Sequence, residues 1–147
     1  MTVYDDDYPT CRETYAVLRI FSDSISPPDI TALLGISPSD SFTKGELNGN
    51  RGNRRKQNGW FLSTESQVKS RDSRRHLDWL TAALDAHEDV LNKLRLASAE
   101  IDISCYWVSV GQGGPVIGSE QMKILSRLGL DVWWDIYFTD KGWLPPK

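Results

Sequence analysis

Apolar and polar positions alternate along Tyr15–Phe21, with Ala16, Leu18 and Ile20 on one side and Tyr15, Val17, Arg19 and Phe21 on the other. Period two predicts a strand, and one with a single charge belongs inside a sheet. Ser26-Pro27-Pro28-Asp29 then opens a helix: the serine accepts from a free backbone N–H, Pro27 stands where no donor is needed, and Asp29 faces the positive end of the dipole. Ile30, Leu33 and Leu34 form its buried stripe, Gly35 ends it and Pro38 prevents its resumption. Ser41–Glu46 and Trp60–Thr64 read as two strands of a hairpin, because the intervening Leu47–Gly59 is rich in Asn, Gly and Arg.

Asp72 or Ser73 caps the longest helix, in which Leu77, Leu80, Leu84, Leu91 and Leu94 recur at helical spacing. Ile101, Ile103, Cys105 and Trp107 share the next strand's face, opposite Asp102, Ser104, Tyr106 and Val108. Gly111-Gln112-Gly113-Gly114-Pro115 breaks that strand. A helix capped by Ser119 then turns Met122, Leu125 and Leu128 inward and stops at Gly129. The last strand alternates Leu130, Val132, Trp134, Ile136 and Phe138 with Asp131, Trp133, Asp135 and Tyr137, so one face is apolar and the other mixes acids with aromatics.

The segments Ile30–Ile36 and Ile124–Leu130 both end an amphipathic helix at Leu-Gly between two strands, so a strand, helix and strand unit occurs twice. With right-handed crossovers the chain is expected to be α+β: a single, mainly antiparallel five-stranded sheet of ferredoxin-like character, its helices packed on one face. Residues 1–13, with Asp5-Asp6-Asp7, are expected to be a flexible arm, residues 14–140 a single domain and residues 141–147 a tail.

Composition narrows the classes. At 147 residues, with 39% hydrophobic and 25% charged side chains, the chain can bury one sizeable core. Its net charge of −3 opposes general attraction to phosphate backbones or anionic membranes. Cys11 and Cys105 fit reduced thiols better than a disulfide framework. Met1–Tyr8 is acidic, unlike a secretion signal, and no apolar run approaches the roughly 20 residues of a membrane span. The expectation is a cytoplasmic protein.

Four places invite chemistry. Arg51, Arg54, Arg55 and Lys56 form the densest positive patch and are candidates for anion or nucleic-acid contact. The absence of an aromatic between Gly45 and Gly59 on which a base can stack weighs toward a solvated hairpin tip. Gly111–Gly114 resembles an anion-binding turn, without the lysine of a P-loop or the spacing of a dinucleotide fingerprint. His76 and His87 lie roughly 16 Å apart along a helix, too far to share a metal, and surface or boundary positions are expected for both. Asp102, Asp131 and Asp135 converge on one face if the last two strands pair, as acid-base or cation-binding groups or as part of a surface with Trp133 and Tyr137 that anchors a basic protein.

The ordered set Tyr15-Ala16-Val17-Leu18-Arg19-Ile20, Ile30-Thr31-x-x-Leu34-Gly35-Ile36-x-Pro38, Lys44-Gly45-Glu46, Trp60-x-Leu62-Ser63, Trp79-Leu80, Cys105-Tyr106-Trp107, Leu128-Gly129-Leu130 and Asp135-Ile136-Tyr137 resembles a bacterial family, the domain of unknown function DUF4279. The resemblance spans about residues 14–138 and implies a small bacterial cytoplasmic protein with no catalytic residues to carry over. By class analogy, a small acidic protein of this kind is expected to be a non-enzymatic binding protein, specifically an immunity protein that neutralises a toxin domain. Asp102, Asp131, Trp133, Asp135 and Tyr137 are its expected partner surface, with no metal, cofactor or membrane involved. The alternatives are a small-ligand protein or hydrolase-like enzyme using the three aspartates with the glycine turn, and, more weakly, a nucleic-acid binder using the basic loop. Oligomeric state stays open.

Overall fold

The computed structural model describes residues 1–139; the expected tail at 141–147 lies outside the described residues. Ten elements follow one another: β1 (Cys11–Ser22), α1 (Pro27–Leu34), β2 (Asp40–Phe42), β3 (Asn58–Ser63), α2 (Ser73–Leu84), a single 3-10 turn (Asp85–His87), α3 (Glu88–Leu96), β4 (Glu100–Ser109), α4 (Ser119–Leu128) and β5 (Asp131–Phe138). The five strands form one sheet in the order β2-β3-β1-β4-β5. All neighbours are antiparallel except β4 and β5, which run parallel. The chain is therefore α+β. β1 to β4 have the order of the split β-α-β arrangement of ferredoxin-like folds, to which α4 and β5 add a parallel edge. The two strand-helix-strand units differ in one respect: β3 separates β1 from β2, whereas β4 and β5 are direct neighbours.

Register decides what is inside. Leu18 stands opposite Leu62 and Ile103, Ile20 opposite Trp60, and Ala16 opposite Cys105, so the even positions of β1 lie in one apolar row across three strands. Ile30 and Leu34 of α1, Leu77, Leu80 and Leu84 of α2, Leu91 and Leu94 of α3, and Leu125 and Leu128 of α4 close over that row. Fully burying each such side chain contributes on the order of 1.5–3 kcal/mol. Trp60 is completely buried, and its indole N–H finds the Thr31 hydroxyl at 3.0 Å.

The helix ends follow the sequence signals in part. Ser26 accepts from the Asp29 N–H at 3.3 Å, and Gly35 and Gly129 adopt φ of 66° and 67°, the left-handed form that ends a helix. Asp72 caps α2. The expected single long helix is broken at Asp85–His87 with no glycine or proline there; Arg127 of α4 ion-pairs with Asp85 and Glu88 at that turn. At α4 the cap is Gly118 and not Ser119, with the Gln121 side chain returning to the Gly118 N–H at 3.0 Å. Gln121 is buried in consequence, and Met122, expected inward, is 51% exposed.

The N-terminal stretch departs from a loose arm through residue 13. Cys11–Glu13 belong to β1, and Cys11 is buried. Before them, Tyr4 donates to Asp78, the Asp5 N–H to Asp72 at 2.8 Å, and Arg75 forks onto Asp6 at 2.7 and 3.0 Å. Of the acidic run, Asp6 is thus matched by Arg75 of α2. No helix among the described residues is long and apolar enough to cross a membrane.

Candidate functional site

With every helix on one side, the odd positions of β1 face the other. Parallel pairing sets Asp102 against Asp131, Ser104 against Trp133 and Tyr106 against Asp135, while β1 brings Arg19 to Asp102 and Tyr15 to Tyr106. The five residues expected to bind a partner therefore share one sheet face, because side chains alternate along each strand. Tyr15 and Tyr106 stack at 4.8 Å between ring centres, and Tyr137 leans on Tyr106 at 5.3 Å. Tyr137 donates to Asp135 at 2.9 Å. Arg19 holds Asp102 through two hydrogen bonds of 2.8 and 2.7 Å, and its guanidinium lies over Trp133 at 4.9 Å and Phe21 at 5.2 Å.

This face continues to the far edge. Phe61 of β3 meets Phe21 and Phe42, each at 5.5 Å, and Arg55 sits over the Phe42 ring at 4.0 Å. Aromatic side chains thus cross all five strands without a helix above them. A shallow depression of about 290 Å³ opens between Tyr15, Tyr106, Tyr137, Arg19 and Asp135. Burial, then nearby Glu65, pushes the Tyr15 phenol up to about 12, and the hydrogen bond to Asp135 raises that of Tyr137. Both phenols keep their protons at neutral pH, so they are donors and rings, not bases.

The other candidates fall differently. Of the basic loop, Arg51, Arg54 and Lys56 are exposed, Arg54 donating to the Gly45 carbonyl at 2.8 Å, while Arg55 is half-buried against the Phe42 ring. The Gly111–Gly114 turn follows the end of β4, roughly 30 Å from the level of Asp102 and Asp131 and roughly 16 Å from that of Asp135 at strand spacing, so the three aspartates and the glycine turn do not make one site. Nor does the turn abut α4, which starts only at Ser119. Asp102 is matched by Arg19, while Asp131 and Asp135 are exposed. His76, expected near the surface, is buried and hydrogen-bonded to Thr64 and Ser70 at 2.6 and 2.8 Å. Burial pushes both the Cys11 and Cys105 thiols up to about 12, which suits packing and not nucleophilic attack. Among the described residues no group of three His, Cys, Asp or Glu is placed to hold a metal ion.

A model of one family, described as a domain of unknown function (DUF4279), matches residues 12–139. The chain belongs to that family. The match runs from β1 to the residue after β5, so the DUF4279 domain contains the entire open face, whereas the contacts of Tyr4, Asp5 and Asp6 come from outside it. No curated protein and no solved structure matches the chain.

Within this DUF4279 domain, sequence reasoning found the acids and aromatics of β5 and missed the β1 and β3 contribution. Tyr15, Arg19, Phe21 and Phe61 stand on strands apolar on both sides, and only the strand order shows which side lacks a helix. The available signal was Arg19, a charge in the middle of an otherwise apolar strand.

Proposed function

We propose that the chain is a non-enzymatic binding protein that holds a basic protein partner on its open sheet face. In its specific form it is a bacterial, cytoplasmic immunity protein, and the partner is a toxin domain. One observation carries this reading: the exposed acids Asp131 and Asp135 stand among half-exposed Trp133 and Tyr137 on a face that no helix covers. Aromatic side chains of this kind are the usual binding anchors, each costing about 2 kcal/mol or more when truncated. Net acidity of −3 accelerates encounter with a basic partner, and carboxylates beside the rings fix its register. Arg19 neutralises Asp102, so the net negative character of this patch rests on β5.

Coexpression tests the specific form. The chain is expected to rescue a host from the toxin encoded beside it, and Trp133→Ala with Asp135→Asn is expected to abolish rescue while the variant remains folded. Failure of the folded wild-type chain to rescue, together with no partner captured from the native host that the double variant loses, overturns the reading.

A further inference from the structure

The sheet has two edges of different kinds. β2 offers three residues, whereas β5 offers eight without proline or a bulge, and its two charges, Asp131 and Asp135, lie on one face only. The Thr139 N–H bonds inward to the Ser109 carbonyl at 2.8 Å. Hydrogen-bonding direction alternates along a strand, so the N–H and C=O groups of Val132, Trp134, Ile136 and Phe138 point away from β4. Among the described residues no strand pairs with them. Trp133 and Tyr137 on the open face, and Ile136 and Phe138 on the helix side, are 42%, 42%, 40% and 76% exposed, so apolar surface flanks the edge above and below.

We infer that this edge pairs with the β5 edge of a second copy of the chain, antiparallel about a two-fold axis at Trp134, forming a ten-stranded sheet. A second copy fits because the edge is self-complementary in one register that also pairs most of β5. An axis at Asp135 sets Asp135 against itself, and one at Trp133 sets Asp131 against Asp135; both place like charges directly opposite, which destabilises a pair. An axis at Trp134 uses outward-bonding residues and sets Asp131 opposite Tyr137, Trp133 opposite Asp135, Val132 opposite Ile136 and Leu130 opposite Phe138. Each carboxylate then meets an aromatic ring, and the exposed Phe138 meets the end of β5 that α4 already shelters. The four exposed side chains hold roughly 400 Å² per copy if a large side chain buries about 200 Å². With the edge backbone added, the contact approaches the roughly 1,000 Å² at which specific association begins. The dimer is accordingly concentration-dependent. A two-fold axis normal to the sheet leaves both open faces on the same side, so the dimer sets the two proposed partner surfaces side by side, with the edge-facing parts of Trp133 and Tyr137 taken up by the pairing.

Sedimentation velocity and light scattering on the full chain test this pairing. The mass is expected to rise with concentration from 16.6 kDa toward twice that value and to stop there. Ile136→Lys is expected to lower association at least tenfold with an unchanged circular-dichroism spectrum, while Leu47→Lys, at the far hairpin, leaves it intact. An equimolar mixture of Trp133→Cys and Asp135→Cys variants is expected to form a disulfide-linked pair under mild oxidation about tenfold faster than either alone. A monomer at several hundred micromolar, assembly that continues past the dimer, indifference to Ile136→Lys, or no preference for the mixed pair overturns the inference. A partner that binds a monomer through the open face would overturn it and leave the proposed function standing.

Discussion

Lowering the pH through the histidine range should destabilise the fold through one side chain. His76 Nε2 lies 2.8 Å from the Ser70 carbonyl, which only accepts, so Nε2 carries the proton and Nδ1 is left as an acceptor. The Thr64 hydroxyl donates to it at 2.6 Å, and its oxygen meanwhile accepts from the Ala16 N–H at 2.9 Å. β1, the loop after β3 and α2 are thereby joined through one neutral ring. A second proton on Nδ1 would turn donor against donor in a buried place. Burial lowers the pKa of His76 from its ordinary 6.5, and Arg75 adds to the shift, outweighing the hydrogen bond to Ser70 and the opposing pull of Asp72 and Asp6.

The sign follows from linkage. Below pH 6.5 the unfolded chain takes up a proton that the folded chain refuses, so the stability contributed by neutral His76 is complete above that pH. It is lost as pH falls toward the folded pKa, at a slope of at most about 1.4 kcal/mol per pH unit. Urea unfolding followed by tryptophan fluorescence at pH 7.5, 6.5, 5.5 and 5.0 measures this slope. His76→Gln retains one donor and one acceptor without titrating, and is expected to flatten the curve between pH 6.5 and 5. A constant difference between wild type and His76→Gln across the range, or a wild type that gains stability on acidification, would rule out neutral His76 as the source of the pH dependence. Carboxylates held below their usual range, such as Asp6 paired with Arg75, lose their contribution only nearer pH 4, so the two windows separate.

Three further outcomes are expected. Asp72→Ala removes the α2 cap, the acceptor of the Asp5 N–H and the Arg74 partner together, and should cost roughly 2–3 kcal/mol in urea unfolding, with Asp72→Asn recovering the cap and about half of that. Gly59→Ala would overlap the Phe42 ring, so β2 should detach and hydrogen exchange over residues 40–42 should accelerate at least tenfold while β1 and β4 remain protected. Leu80→Ala empties a fully buried position and should lower stability by about 2–5 kcal/mol, whereas Trp133→Ala, at a 42% exposed position, should lower it by less than about 1 kcal/mol.

The parts of the fold that depend on near neighbours were legible in the chain. Alternation in β1 separated its two rows without showing which of them the helices cover, and Leu-Gly endings located Gly35 and Gly129 in the left-handed form. Polar residues drawn inward by distant partners were not. Gln121 is buried because its amide meets Thr2 and Asp78 at 2.9 and 3.0 Å while its carbonyl caps α4, and no local pattern contains those contacts. The neighbouring Met122 shows the same effect in reverse: periodicity assigned it the inward position that Gln121 occupies. Similarly, the arm resembled a loose segment because Arg74, which holds the Val3 carbonyl, and Arg75, which holds Asp6, lie some seventy positions away.

The open face divides its work between strands. Tyr15 and Tyr106 are half-buried in a stack at the centre of the sheet, where they cover backbone that no helix shields, so truncating either removes fold stability and binding surface together. Trp133 and Tyr137 lie on the edge strand with more of their rings in water, so partner binding is more separable from folding there. Ile136 stands on the same strand with its side chain on the opposite side of the sheet. An Ile136→Lys variant therefore tests pairing of the edge with the open face intact. Truncating Phe21, against Arg19 and Phe61 near the centre, tests the face with the edge intact. If the partner is held by the face and a second copy by the edge, these two variants should each lose one association and keep the other. A variant at Trp133, where face and edge meet, should weaken both.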